Sequence, residues 1–142
     1  MKDSITVLKE YLRPRGLKFT PERETIIKTI FSLGKHFEAD DLLVKLRQRK
    51  SKIAKASIYR TFKLLVGAGI LRPVIFTDRH LHYEQVIGKK HHGHLVCLKC
   101  GRVIEFSRPK ILKELNKVYR EYHFKEFDHK VEATGYCHQC QK

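Results

Sequence analysis

Apolar residues recur at helical spacing through the first half of the chain, and three apolar stripes predict three helices. The first stripe follows Thr20-Pro21-Glu22, which combines an N-cap residue, a proline and an acidic side chain, as is typical of a helix N-terminus. The third stripe ends at Gly67-Ala68-Gly69, where a helix is expected to stop. The apolar positions are Ile26, Ile27, Ile30 and Phe31, then Ala39, Leu42, Leu43 and Leu46, then Ile58, Phe62, Leu65 and Val66.

The pattern then changes to the alternation typical of strands. Residues 71–76 and 80–85 predict two strands of a hairpin, with a turn at Thr77-Asp78-Arg79 between them. Three helices followed by a hairpin indicate a winged helix-turn-helix. In this motif the third helix is expected to read the major groove of DNA.

The polar face of the predicted third helix is suited to that role. Arg60 can bind a guanine edge through two N–H groups, Tyr59 can pack on a thymine methyl group, and hydroxyl or ammonium groups can bind phosphates. The alternative interpretation is a solvated charged face that binds no ligand. The residues on this face are Lys55, Ser57, Tyr59, Arg60 and Lys63.

The second half of the chain predicts a small sheet with one helix. His92, His94 and Val96 share one face of a first strand, and residues 103–106 predict a second. Ser107 is the expected cap of a helix with Pro109 in its first turn. The apolar face of this helix comprises Ile111, Leu112, Leu115, Val118, Tyr119 and Tyr122, and the alternation of Phe127, His129, Val131 and Ala133 predicts a last strand. These elements are too few to form a sufficient hydrophobic core on their own. We therefore expect a homodimer that assembles through this half of the chain.

Charge indicates the kind of partner. The 142 residues include 30 Lys and Arg against 15 Asp and Glu, which gives a net charge of +15. Such an excess favours a polyanion, with nucleic acid as the first candidate and an anionic membrane surface as the second. No apolar run is long enough for a membrane helix, and charged residues interrupt residues 1–16, which argues against a signal peptide. We therefore expect a cytoplasmic protein with no membrane partner and no small-molecule substrate.

The four cysteines form two CxxC pairs, Cys97 with Cys100 and Cys137 with Cys140, separated by 36 residues. Two such turns can complete a tetrahedral shell of four sulfur ligands, which suits a structural Zn²⁺ with no open position. Thiol redox chemistry is the alternative, but a redox CxxC usually opens a helix within a βαβ unit, and neither pair does so in this pattern.

The sequence thus predicts an α+β protein in three parts. Residues 1–84 form an N-terminal winged helix-turn-helix domain, residues 85–90 a hinge that includes Gly88-Lys89-Lys90, and residues 91–142 a small α/β dimerisation domain with the structural zinc site. A second set of donors mixes imidazoles and carboxylates, which suits Fe(II), Mn(II), Co(II) or Zn(II), although spacing alone makes this a weak signal. The set comprises His36, Glu84, His92, His94 and Glu105.

Three segments together resemble the ferric uptake regulator (Fur) family. They are residues 16–23 (GLKFTPER), residues 56–62 (ASIYRTF) and residues 91–106 (HHGHLVCLKCGRVIEF), in this order and with the terminal CxxC in place. The resemblance runs from about residue 10 to the end of the chain. It implies a dimeric, metal-responsive transcription factor with a winged-helix domain and an α/β dimerisation domain, which binds palindromic double-stranded DNA and represses transcription when loaded with metal.

The resemblance also assigns roles to residues. It places Tyr59 and Arg60 on the DNA-reading pair and Lys18 on a lysine that approaches the minor groove. The four cysteines match the structural zinc site, and the mixed donor set matches the regulatory site between the domains. A further metal site of some members would use His91, Gly93, Leu112 and His129. Glycine and leucine cannot ligate, so we expect that site to be absent or weak.

The regulatory metal is expected to be Fe²⁺ or Mn²⁺. All four cysteines are committed to the structural site, so no thiolate remains to favour zinc, and peroxide-sensing relatives carry aspartates where Glu84 and Glu105 stand here. A zinc- or peroxide-sensing member of the family is the nearer alternative. A metal-dependent nucleic-acid hydrolase or a zinc-ribbon RNA-binding module is more remote, and we expect no enzyme.

Overall fold

The computed structural model describes residues 2–75, 80–87 and 91–142, without the side chains of Lys2 and Ile75. These residues divide into two compact units, one formed by residues 2–75 and 80–87 and the other by residues 91–142. The predicted turn at residues 77–79 and the linker candidate at residues 88–90 lie outside the described residues.

The first unit contains the three helices that the apolar stripes predict. They are α2 (Pro21–Ile30), α3 (Ala39–Gln48) and α4 (Lys55–Gly67). Thr20 is the N-cap of α2, and its hydroxyl accepts a hydrogen bond from the Arg23 backbone N–H at 3.3 Å, as the sequence indicates. The helix-turn-helix prediction is confirmed in α3 and α4. No helix in the described ranges combines the length and the apolar character needed to cross a membrane.

A helix that the sequence did not predict, α1 (Lys2–Leu12), precedes these three. Leu8 and Leu12 are completely buried in the core of the unit. The ring of Tyr11 packs so closely over Gly67 of α4 that a Cβ at that position would collide with its hydroxyl. A glycine at the end of α4 therefore permits α1 to pack against it.

The sheet of the first unit has three antiparallel strands. They are β1 (His36–Phe37), β2 (Leu71–Ile75) and β3 (Leu81–Gln85), in the spatial order β1-β3-β2. Strands β2 and β3 confirm the predicted hairpin strands, whereas β1 was not predicted. Tyr83 faces the core, where its ring lies 4.6 Å from that of Phe62 and 6.4 Å from that of Phe37 between centroids. The opposite face of β3 carries the polar residues considered below.

The second unit is a three-stranded sheet with one helix. The elements are β4 (Gly93–Cys97), β5 (Val103–Phe106), α5 (Pro109–Glu121) and β6 (Glu132–Gly135). The order is β5-β4-β6, in which β4 pairs antiparallel with β5 and parallel with β6. A short 3₁₀ turn, His138–Cys140, follows β6.

Two details of this unit differ from the prediction. Ser107 does not cap α5, because Arg108 occupies the N-cap position and no side chain bonds the helix end. The last strand is shorter than the alternation suggested, and Phe127, His129 and Val131 all precede it. The physical reason is that β4 is short. Its first pairing with β6 is His94 opposite Glu132, so residues 127–130 have no strand beside them.

The second unit buries little of its apolar surface. Among residues 91–142, only four residues of β4 are buried, and no residue of α5 is. Large apolar side chains remain exposed on the sheet, on the helix and in the segments that follow them, as the small predicted core suggests. They include Leu95, Ile104, Val118, Tyr122, Phe124, Phe127 and Tyr136.

Candidate metal centres and nucleic-acid interface

The four cysteines of the second unit converge on one point. Cys97 is the last residue of β4, Cys100 follows in the turn to β5, and Cys137 and Cys140 lie after β6. Their sulfur atoms all lie within 4.8 Å of one another, and all four are free thiols. Gly101 has a φ of 73°, a left-handed conformation that glycine adopts without strain, so the chain can reverse directly after Cys100.

The spacing of the sulfur atoms fits a tetrahedral zinc site. Thiolates about 2.3 Å from zinc lie about 3.8 Å apart along a tetrahedral edge. The distance between the Cys100 and Cys137 sulfur atoms is 3.8 Å. Four thiolates would fill the coordination shell, so this cluster is suited to a structural ion rather than to one with an open position.

The protonation of the cluster depends on whether a cation is bound. The backbone N–H of Cys137 donates to Cys97 Sγ at 3.4 Å and, together with the backbone N–H of Cys100, lowers the pKa of Cys97 to about 6. Hydrogen bonds with the other cysteines, that with Cys137 being the largest cause, raise the pKa of Cys140 to about 12. The cluster therefore does not hold four thiolates at neutral pH unless a metal ion compensates their charge.

A second donor cluster in the same unit consists of His92, His94 and Glu105. Their ligand atoms lie within 4.8 Å of one another. Pairing of β4 with β5 places His94 opposite Glu105, and the rings of His92 and His94 are 4.9 Å apart between centroids at an angle of 84°. Two imidazoles and a carboxylate form a ligand set that suits Fe(II), Mn(II), Co(II) or Zn(II).

The other two predicted ligands face each other in the first unit. Pairing of β1 with β3 places His36 opposite Glu84, with 3.5 Å between His36 Nε2 and Glu84 Oε2. On the other side of β3, the Arg72 guanidinium donates to Glu84 Oε1 at 3.1 Å. The buried carboxylate therefore presents one oxygen to Arg72 and the other to His36.

Arg72 was missed by the sequence analysis. It is buried, and a buried arginine requires an anionic partner. The signal that could have identified it is the strand register, which places Arg72 across from Glu84. The predicted hairpin, with strands at residues 71–76 and 80–85, already implies this pairing, but the sequence analysis did not extend it to a partner for Glu84.

The predicted reading face of α4 is exposed to solvent. Tyr59, Arg60 and Lys63 are exposed, whereas Ile58 and Phe62 on the opposite face are buried. The Arg60 guanidinium donates to the hydroxyl of Ser57 at 3.3 Å, which holds it along the helix. The face thus offers hydrogen-bond donors and an aromatic ring to a ligand.

The two predicted lysine contacts to DNA, Lys55 and Lys18, differ in whether a neighbouring side chain holds the ammonium group. Lys55 forms an ion pair of 2.7 Å with Asp40 at the start of α3, and the hydrogen bond with Asp40 raises the pKa of Lys55. Lys18 lies exposed before α2, and its carbonyl accepts a hydrogen bond from Arg23. Lys55 must exchange Asp40 for a phosphate to bind DNA, whereas the Lys18 ammonium is exposed.

The positions of the further metal site line a small pocket of the second unit. The His91 and His129 rings stack at 4.6 Å between centroids. A side chain at Gly93 would collide with the ring of Phe106, and Leu112 has no ligand atom. The Phe106 ring fills the space that a ligand at residue 93 would need, which supports the prediction that this site is absent or weak.

These features define a class of protein. A winged helix-turn-helix unit followed by a small α/β unit, with a thiolate cluster distinct from histidine and carboxylate donors, is the plan of a metal-responsive transcription regulator. The sequence model of the Ferric uptake regulator family matches residues 14–134, and the chain belongs to this family.

Individual relatives agree over nearly the whole chain. The ferric uptake regulation protein of Synechococcus elongatus is 37% identical over 137 residues, which cover 95% of this chain and 93% of that protein. The ferric uptake regulator of Pseudomonas aeruginosa, solved with manganese, superposes with a TM-score of 0.76 at 27% identity, covering 92% of this chain and 97% of that one. The Helicobacter pylori ferric uptake regulator, described with three functional metal-binding sites, superposes with a TM-score of 0.72 at 26% identity. The match covers 99% of this chain and 93% of that one.

Proposed function

We propose that the protein is a metal-dependent repressor that binds palindromic operators in double-stranded DNA as a homodimer. The observation that carries this proposal is the separation of donors. The four sulfur atoms form one closed cluster, while His92, His94 and Glu105 form another that contains no thiolate. One cluster suits a permanent ion and the other an exchangeable one.

In this proposal the cysteine cluster holds Zn²⁺ and stabilises the second unit. It connects the end of β4 to the segment after β6, which are distant in sequence but joined by the parallel pairing of the two strands. A cation of charge +2 offsets the repulsion of four thiolates. The role is structural, since no coordination position remains for a substrate.

The regulatory metal binds the five histidine and glutamate ligands in this proposal. The family pattern assigns His36 and Glu84 together with His92, His94 and Glu105 to one ion. A metal ion bound by residues of both predicted domains, residues 1–84 and 91–142, would restrict the hinge at residues 85–90. DNA binding would then lose less conformational freedom, and metal and DNA would each increase the affinity for the other.

Dimer formation through the second unit follows from its surface. A unit of this size with almost no buried side chains outside β4 needs a partner to cover its apolar residues. A second copy of the chain would also supply the second recognition helix for the other half of a palindrome, about 34 Å away. The cytoplasm is the compartment that such a DNA-binding role requires.

We infer that Fe²⁺ or Mn²⁺ is the regulatory metal. The histidine and carboxylate donors lack the thiolate that would favour zinc. The manganese in the Pseudomonas aeruginosa relative fits the same inference. Zinc sensing and peroxide sensing are the competing functions within the family, and they differ in measurable ways.

We expect free Fe²⁺ or Mn²⁺ to increase DNA binding while free Zn²⁺ is buffered below the nanomolar range. The physical reason is that oxygen and nitrogen donors can hold these ions reversibly. Fluorescence anisotropy on a duplex palindrome, with each metal buffered separately, measures the response. Activation by sub-nanomolar zinc with no response to iron, or rapid oxygen addition to His36 or His92 in the iron form, contradicts this metal assignment.

The role of α4 can be tested with two variants of different expected behaviour. Arg60→Ala should cost about 1–3 kcal/mol of specific binding and relax the base preference, because it removes donors to a base edge. Lys18→Ala should weaken binding to all sequences and make the slope of log K against log salt shallower by about 1. Anisotropy titrations on operator and scrambled duplexes distinguish the two. Unchanged operator affinity in Arg60→Ala would exclude α4 as the reader.

A further inference from the structure

The segment that joins α3 to α4 carries a dense run of positive charge. Residues 45–55 contain six Lys and Arg and no Asp or Glu. Lys55 is paired with Asp40, but the other five cations form no ion pair within the described part of the chain. Like charges at this density repel one another. The segment therefore favours an anionic partner from outside the chain.

Lys50 and Lys52 lack the local role that neighbouring cations have. Lys45 and Arg47 lie in the last turn of α3, where a cation interacts favourably with the helix dipole. Lys50 and Lys52 lie beyond the helix, and both side chains are exposed. We call residues 49–52 the basic turn.

The backbone of Lys50 adopts a left-handed conformation. Its φ is 58°, which costs free energy for a residue with a Cβ and which glycine adopts without strain. The Lys50 N–H donates to the Arg47 carbonyl at 2.9 Å, and the Ser51 N–H donates to the Leu46 carbonyl at 2.9 Å. This pair of bonds is the Schellman motif, in which glycine is the usual residue at the position of Lys50. A lysine at this position indicates a function for its side chain.

The basic turn is fixed to the first unit at both ends. The Arg49 guanidinium donates to the hydroxyls of Thr29 at 3.2 Å and of Ser32 at 3.4 Å, at and just after the end of α2. Ile53, directly after the turn, is buried in the core. The backbone that carries the two lysines is thus held in place, so binding an anion there requires little ordering of the chain.

The basic turn leads directly into the proposed reading helix. Lys52 precedes Ala54, the N-cap of α4, by two residues, and two residues of chain span at most about 7 Å. A recognition helix enters the major groove with its N-terminal residues, and this groove is about 12 Å wide between its two backbones. With the start of α4 in the groove, Lys52 therefore lies beside one of the phosphate backbones.

We propose that Lys50 and Lys52 bind phosphate groups of the DNA backbone that borders the groove read by α4. Phosphate contacts are independent of base sequence, so they increase affinity and fix the helix in the groove without selecting bases. The proposal rests on the proposed DNA-binding function, but it concerns residues outside the reading face. Lysine at residue 50 then lowers the stability of the turn and raises the affinity for DNA.

The salt dependence of DNA binding by the full-length, metal-loaded protein tests the proposal. Each phosphate contact contributes about 0.9 to the slope of log K against log salt. The variant Lys50→Gly/Lys52→Gln should have a slope shallower by about 2 for each protomer bound, on operator and on scrambled duplexes. Between about 50 and 200 mM salt it should lose about tenfold less affinity per protomer than the parent. The ratio of operator to scrambled affinity should not change.

Two further variants separate a phosphate contact from a structural role of Lys50. Lys50→Gly alone should raise the melting temperature while it weakens DNA binding, because glycine adopts the left-handed conformation without strain. Lys50→Arg should retain the slope of the parent, because the guanidinium keeps the positive charge. A lower melting temperature of Lys50→Gly with an unchanged slope would overturn the proposal.

Lys113→Gln is the matched control for net charge. Lys113 is an exposed lysine of α5 in the second unit, and its replacement removes the same charge as Lys52→Gln. It should leave the slope unchanged. The parent slope in Lys50→Gly/Lys52→Gln, or equal changes in Lys52→Gln and Lys113→Gln, would overturn the proposal. A parent that binds operator and scrambled duplexes equally would contradict the repressor function instead, and the slope on the scrambled duplex would still decide the phosphate contacts.

Discussion

Replacing Cys97 by serine should release close to one equivalent of zinc per chain and unfold the second unit. Structural zinc in small domains contributes about 10–16 kcal/mol to folding, and residues 91–142 have few buried side chains to replace that contribution. Metal analysis after gel filtration and thermal melting followed by circular dichroism measure the loss. The first unit has its own core, so we expect its helical signal to persist in the variant.

The matched control for this experiment is His138→Asn. His138 lies between Cys137 and Cys140 in sequence but is not part of the four-sulfur cluster. This variant should retain its zinc, its melting temperature and its dimer. A Cys97→Ser protein that retains zinc and melts like the parent would show that the cysteines do not form a structural site.

Local patterns in the sequence predicted the elements that depend on local interactions. Thr20 and Pro21 predict the start of α2 because capping involves only the first turn of a helix. The CxxC pairs indicated their cluster because each turn alone presents two sulfur atoms to one ion. The resemblance added Lys18, whose position before α2 has no local signal of its own.

Elements that depend on tertiary packing were missed or misjudged. A helix as short as α1 is marginal alone in water, and Leu8 and Leu12 stabilise it by entering the core. Strand β1 has only two residues, too few for an alternation to be visible. The extent of β6 follows from the length of β4, which the residues at 127–130 do not reveal.

The same limit applies to the sites. His92, His94 and Glu105 could be selected from the sequence because two strands and one turn bring them together. The contact between His36 and Glu84 depends on the register of β1 and β3, whose paired residues lie 48 positions apart in the chain. Sequence alternation identifies the face of a strand but not its partner.

Replacing Arg72 by methionine should destabilise the first unit by about 3–5 kcal/mol, because it leaves Glu84 as an uncompensated buried charge. It should also raise the metal concentration required for DNA binding at least tenfold, since Arg72 directs one oxygen of Glu84 away from His36 and leaves the other for a metal. Urea unfolding monitored by circular dichroism measures the loss of stability. Fluorescence anisotropy of a labelled operator at increasing metal concentration measures the change in the metal requirement.

The double variant Arg72→Met/Glu84→Gln separates the two effects. Both partners are then uncharged and close to the original volumes, so most of the lost stability should return. The metal response should stay impaired, because the amide lacks the charge of the ligand. Arg72→Lys should be intermediate, since an ammonium retains the charge but not the planar geometry of the guanidinium. A single Arg72→Met variant with unchanged urea midpoint and unchanged metal response would mean that Arg72 neither stabilises the unit nor positions Glu84.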